Sequence, residues 1–302
     1  MNTPRKPRFP AQVLPSQTGR RGLGSAGAVP RPPLGPSAPL VSPGAQPANA
    51  PAAPIPAPIA AYPSSERPPA TAPAASWGLP VDPPGQESAR IRMVKRLAAL
   101  PHLHPAVLHA MQTVPRHAFI DSALMTKAYE DNSLPIGFGQ TISKPSVVAR
   151  MLSLALQAPC VPPGASHIPM RVLEIGTGCG YQAAVMSHIA SEVYSIERVR
   201  GLHERARSHL RPLRVSNLHL LFGDGMAGYA AGAPYAAIVS AAGGDAIPQA
   251  WVDQLAIGGR IIAPTSNASG AQQLLVIDKT ATGVRQHALE AVHFVPLKSG
   301  VG

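Results

Sequence analysis

Arg171-Val-Leu-Glu174-Ile-Gly176-Thr-Gly178-Cys-Gly180-Tyr181 is the stretch from which the rest of the chain is read. Residues 171–175 form a short apolar run of the kind that makes a buried strand, and a helical pattern begins at Tyr181. The three glycines between them let the backbone turn sharply and approach a ligand with no Cβ in the way. A dinucleotide fold rests its pyrophosphate on G-x-G-x-x-G at a helix N-terminus. Here the spacing is G-x-G-x-G, and Glu174 stands two residues before the first glycine. A carboxylate there repels pyrophosphate but suits an ammonium or hydroxyl group. Glu174, Gly176, Gly178 and Gly180 are therefore candidate ligands for S-adenosylmethionine, which carries an amino acid and no phosphate. The competing reading is a tight strand–helix turn with no ligand.

Working outward, strand and helix patterns alternate. Residues 192–197 read as a strand ending in Glu197, 21 positions after Gly176. An acid at that place can accept from both ribose hydroxyls, or can simply pair with Arg198 or Arg200 at the surface. Residues 218–222 read as the next strand, and Gly223-Asp224-Gly225 follows it. Asp224 can accept from an adenine amine, and Gly225 leaves the ring room. Helices are expected over 181–190, 198–214 and 248–255, with further strands over 236–242, 260–263, 274–278 and 288–295. The pattern predicts an α/β fold: a Rossmann-like, doubly wound, mostly parallel sheet with antiparallel strands at one edge. Upstream, 87–100 and 105–114 read as helices and 116–121 as a connector, making a small helical cap over 86–130 ahead of a core over 131–302. Residues 134–143 read as a loop, and 145–157 as an amphipathic helix with Pro145 in its first turn, capped by Ser143.

Composition bounds what surrounds this core. Of the 36 prolines in 302 residues, 22 fall in residues 1–85, beside Ala, Gly and Ser runs. That stretch cannot bury enough apolar surface to offset its ordering entropy, so a disordered tail is expected over 1–85 and one domain over 86–302. The net charge of +11 is spread along the chain and aromatics are only 4%, which gives no stacking face, so nucleic acid is not an expected partner. Cys160 and Cys179 form no CxxC pair and no Cys/His cluster has zinc spacing, so no metal is expected. No apolar run reaches the ~18–20 residues of a membrane span. The Arg-rich, acid-poor start is compatible with an organelle transit segment, but the expectation is a cytoplasmic monomer.

The residues resemble one family closely, the protein-L-isoaspartate O-methyltransferases. The segments that carry the likeness are 135–143 (PIGFGQTIS), 172–181, 194–197, 223–225, 233–235, 248–255, 258–260 and 294–297 (FVPL). The resemblance covers roughly residues 87–300. The glycine turn and acidic strand ends are common to most class I methyltransferases, whereas Gly139-Gln-Thr141-Ile142-Ser143 and the terminal Phe-Val-Pro-Leu are more specific. The resemblance implies transfer of the S-adenosylmethionine methyl group to the free α-carboxylate of L-isoaspartyl residues in damaged proteins. The ester then closes to a succinimide on the way to repair. It implies Ser143 as the active-site serine, Thr141 and Ile142 in the same loop, and Gln272 near the cofactor. Ala236 stands where the family usually has Asp, Cys179 replaces a commoner Ser, and Thr265-Ser266 replaces Val-Gly. A same-fold methyltransferase of RNA or a small molecule, and a non-catalytic scaffold with a Pro-rich tail, are the alternatives.

Overall fold

The computed structural model describes residues 82–267 and 269–302; the tail expected over 1–85 lies outside them except for its last four residues. In chain order the elements are α1 (Gln86–Ala98), α2 (Pro105–Thr113), β1 (Leu134–Gly137), β2 (Gln140–Ile142), α3 (Pro145–Leu156), β3 (Ile168–Ile175) and α4 (Tyr181–Ser187). They continue with β4 (Ala190–Glu197), α5 (Arg200–Leu210), β5 (Leu218–Phe222), β6 (Tyr235–Ser240), α6 (Gln249–Gln254), β7 (Leu255–Ser266), β8 (Gln272–Thr280) and β9 (Gly283–Ala291).

Strand β3 sits inside a seven-stranded sheet of order β5-β4-β3-β6-β7-β8-β9. The first five are mutually parallel; β8 pairs antiparallel with β7, and β9 antiparallel with β8. Its apolar run is what a strand covered on both faces requires. Val172 packs with residues of α1 to α5 on one face, while Leu173 and Ile175 pack with Trp251 of α6 on the other. Chain order reverses between β3 and β6, the kind of switch point beside which open α/β sheets bind ligands at their carboxyl ends.

Three expectations change. Residues 134–143 are a β-hairpin, β1 paired antiparallel with β2, not an irregular loop. Pro135 and the glycines hid it, yet an edge strand tolerates proline and the turn needs the positive φ found at Gly137, Phe138 and Gly139. The last strand runs over Gly283–Ala291 rather than 288–295. Its exposed, charged sequence lacks the apolar signal, and pairing with β8 through a tight turn at Thr280 and Gly283 makes the strand. Thirdly, Ser143 does not cap α3. Lys144 holds the N-cap position without a side-chain bond, and Asp131 does the capping from outside. Its Oδ1 accepts from the Ser146 amide at 2.8 Å and its Oδ2 from the Ser146 hydroxyl at 2.7 Å.

Replacing Asp131 with Ala should therefore cost about 1 kcal/mol, the usual loss for a helix cap, and lower the melting temperature by ~2–4 °C for a domain of this size. Thermal denaturation followed by circular dichroism reads it, and an unchanged midpoint would contradict the capping role.

Candidate functional site

The glycine turn opens at the carboxyl edge of the sheet. Gly176 has φ +90° and Gly178 φ +57°, a region side chains resist. A Cβ on Gly178 would also lie 3.2 Å from Ile136 of the hairpin. The turn thus presses against β1, and between them lies a cleft of about 1,110 Å³, counting the part open to solvent. Glu174, Gly176, Gly178, Glu197 and Gly225 line it from the sheet side, and Thr141, Ile142 and Ser143 from the hairpin side. Sequence reasoning named all eight.

Glu174, Glu197 and Asp224 stand at the ends of β3, β4 and β5, three adjacent strands. The carboxylate of Glu197 ties two strand tips together. Its Oε2 accepts from the Gly178 amide and its Oε1 from the Val199 amide, each at 2.8 Å. Each oxygen keeps a further lone pair for a ligand hydroxyl. Glu174 is wholly buried. Its Oε2 accepts from Ser195 Oγ at 2.5 Å, and Ser195 is 2.6 Å from Thr177 Oγ1. Its Oε1 has no partner in good hydrogen-bond geometry; the buried amide of Gln182, which also lines the cleft, faces the carboxyl and with Ser195 pulls its pKa down against burial. Buried polar atoms are rarely left alone. An acid and an amide side by side in the wall of one cleft suit a ligand that brings both an ammonium and a carboxylate, as S-adenosylmethionine does.

Asp224 and Gln272 are placed differently. Asp224 does not line the cleft; its oxygens accept from the Met226 amide at 2.8 Å and the Gly300 amide at 2.7 Å. Gln272 also stands back. Its Oε1 accepts from Phe294 N at 2.7 Å and its Nε2 donates to Phe294 O at 3.2 Å. It thereby anchors the segment whose Val295, Pro296, Leu297 and Lys298 form one wall. Gly180 lies beyond the turn, where a Cβ would meet Leu210 of α5 at 3.0 Å. Neither residue type nor spacing singled out Ser195 or Gln182, nor Thr177 within the glycine turn. Ser195 is the parallel partner of Glu174 across β3 and β4, a relation that only strand register reveals.

On the hairpin side, the Ser143 hydroxyl has no hydrogen-bond partner among the described residues. A second recess, lined by Ser133, Lys144, Val147 and His293 among others, meets the first at Thr141, Ser143, Ala241 and Val295. No group of three His, Cys, Asp or Glu that could hold a metal occurs among the described residues.

Comparison with known proteins fits this arrangement. Residues 90–302 match the sequence model of the family described as protein-L-isoaspartate(D-aspartate) O-methyltransferase (PCMT). The chain belongs to that family. Protein-L-isoaspartate O-methyltransferase of Leptothrix cholodnii is 57% identical over 213 residues, covering 70% of this chain and 74% of that protein. The Burkholderia vietnamiensis protein of the same name is 56% identical over 217 residues, covering 71% and 68%. A solved structure of a protein-L-isoaspartate O-methyltransferase, 29% identical, superimposes with a TM-score of 0.62 over 70% of this chain and 67% of its own. The fold is also that of a Plasmodium falciparum chain described as a putative PCMT in complex with S-adenosyl-L-homocysteine, at 23% identity, TM-score 0.59, and 70% and 98% coverage. PCMT enzymes take their methyl group from S-adenosylmethionine, and the side-by-side Glu174 and Gln182 fit that cofactor.

Burial pushes the Glu174 carboxyl up from 4.5 to about 8, against the opposing pull of the Ser195 hydroxyl. Between those pH values the folded protein holds a proton that the unfolded chain has released, so this residue's contribution to stability falls as pH rises through the window. His188, pushed down to about 4 by burial, works the other way, losing stability as pH falls below its ordinary 6.5. Comparison with Glu174→Gln separates the two. In urea denaturation the free wild type should lose stability relative to the variant from pH 5 to pH 8. A gap that stays constant across that range would show that Glu174 is ionised throughout.

Proposed function

We propose that this chain uses Ser143 and the acidic strand tips to methylate the free α-carboxylate of L-isoaspartyl residues, starting their conversion through a succinimide. The observation that carries the reading is the junction of the two recesses at Ser143, one walled by acids and glycines, the other open to solvent and roomy enough to admit a second reactant. When bound, S-adenosylmethionine supplies a methyl group made electrophilic by its sulfonium. Glu197 would accept from the ribose hydroxyls, Glu174 would face the amino-acid end, and Gly176, Gly178 and Gly225 leave room for the nucleoside. Asp224 would serve through the 224–225 turn that it closes by accepting from Met226 N, and Gln272 through the 295–298 wall.

An acceptor carboxylate of pKa near ~3.5 is ionised at pH 7 and needs no general base. The bound cofactor would supply the methyl group and take up the electron pair of its carbon–sulfur bond, so the acceptor oxygen would need no activation by this chain. No proton moves. The protein's task is alignment and exclusion of water, and the free Ser143 hydroxyl can donate to the second carboxylate oxygen. Phe138, 57% exposed at the hairpin tip, lines the mouth of the cleft, where it would help to exclude water. The proposal extends to a monomer acting in the cytoplasm, in keeping with two cysteines that are both free.

Ser143→Ala should lower kcat by ~10–100-fold, the worth of a hydrogen bond to a charged group, while leaving the Kd for S-adenosylhomocysteine within ~3-fold. Labelled-methyl transfer to an isoaspartyl hexapeptide, read as base-labile methanol, measures the first, and calorimetry the second. Equal loss of both would show that the serine belongs to the cofactor side. Glu197→Ala should raise that Kd by at least ~10-fold, and an unchanged Kd would refute the ribose assignment.

A further inference from the structure

Arg116, in the short helical turn Arg116–Phe119, is fully buried, yet no carboxylate among the described residues pairs with it. A lone buried cation is costly unless dipoles surround it, and burial pulls this guanidinium's pKa down from its ordinary value. Its partners are carbonyls. Nε donates to Ala128 O at 2.8 Å, and Nη2 donates to Ser143 O at 2.7 Å and to Asn132 O at 3.5 Å. Asn132 lies two residues before β1 and Ser143 immediately follows β2, so one nitrogen bridges both roots of the hairpin that roofs the cleft. On its other side the guanidinium carbon lies 5.0 Å from the centre of the Tyr181 ring. Tyr181 is the first residue after the glycine turn. One rigid side chain thus touches the serine that faces the acceptor and the residue that ends the cofactor turn.

We propose that Arg116 is a positioning residue for methyl transfer, fixing the Ser143 backbone, and with it the hydroxyl, relative to the glycine turn across the cleft. The inference rests on Ser143 serving the acceptor as proposed above. Three features carry it. The bond is to the carbonyl of Ser143 itself. Ser143 has no other hydrogen-bond anchor for its side chain among the described residues, and α3 is capped through Asp131 rather than through the serine. The planar fork of an arginine meets several carbonyls at fixed angles, which the single ammonium of lysine cannot do. Misplacing a reacting partner by ~1 Å can cost ~100-fold in rate with no contact to substrate lost.

The test is a double-mutant cycle on the full chain, with Arg116→Lys, Ser143→Ala and their combination, plus Arg116→Met. Folding and the cofactor side are read by S-adenosylhomocysteine calorimetry, and kcat and KM are read with an isoaspartyl hexapeptide. The lysine variant, which keeps the charge, should bind S-adenosylhomocysteine within ~3-fold of wild type and lose ~10-fold or more in kcat, but no more than Ser143→Ala loses, with KM little changed. Adding it to Ser143→Ala should slow turnover by no more than ~3-fold further, because both changes spoil the same alignment. Wild-type kcat in Arg116→Lys, parallel loss of kcat and S-adenosylhomocysteine affinity, or full additivity in the double variant would each overturn the proposal. Should Arg116→Met fail to fold, the lysine variant decides. A fully active Ser143→Ala would refute the serine's role itself. That is a different result from a silent Arg116→Lys beside a crippled Ser143→Ala, which refutes only the inference.

Discussion

The site depends on a backbone amide held by a carboxylate: Gly178 N–H donating to Glu197 across two strands. The bond fixes a turn that only glycines can make at Gly176 and Gly178, and it aims the end of β4 at the mouth of β3. Without it, the turn would have no reason to stand where the hairpin can rest on it through Ile136. Charge-assisted hydrogen bonds of this kind are among the stronger polar interactions in a folded chain. Here the same carboxylate remains able to accept from a ligand, so fold and binding share one group.

Around that bond the cleft has two walls of different character. The sheet side is built of buried polar groups, with Glu174, Ser195 and Thr177 in one hydrogen-bonded row. The other side is a two-stranded hairpin outside the main sheet, packed on the core through Leu134, Ile136 and Ile142 and tied at its roots by a buried cation. Ser143 follows that hairpin, where the two recesses meet. The C-terminal segment closes the remaining side through Gln272 and Phe294, and through Asp224 and Gly300.

Much of this was legible in the residues. The parallel sheet followed from alternating apolar runs and helical patterns, and the cleft from acids and glycines at successive strand ends. Such signals are local in sequence, so they survive without knowledge of the fold. What stayed hidden was set by register and by distant contacts. Ser195 is an ordinary strand serine until pairing puts it beside Glu174. Arg116 looked like part of a connector because its partners lie 12 to 27 residues away. The hairpin over 134–142 was masked by Pro135 and its glycines, and β9 by exposed charges that carry no apolar period. Asp224 was found for its residue type and position and Gln272 through the family resemblance, yet both act on backbone rather than lining the cleft.

The most direct test of the account is a crystal structure of the full chain with S-adenosylhomocysteine and an isoaspartyl peptide. The account predicts the ribose on the Glu197 carboxylate, the amino-acid end against Glu174 and Gln182, and the peptide carboxylate on the Ser143 hydroxyl. A nucleoside seated elsewhere on the sheet edge, or a cleft closed by packed side chains with both ligands excluded, would contradict it.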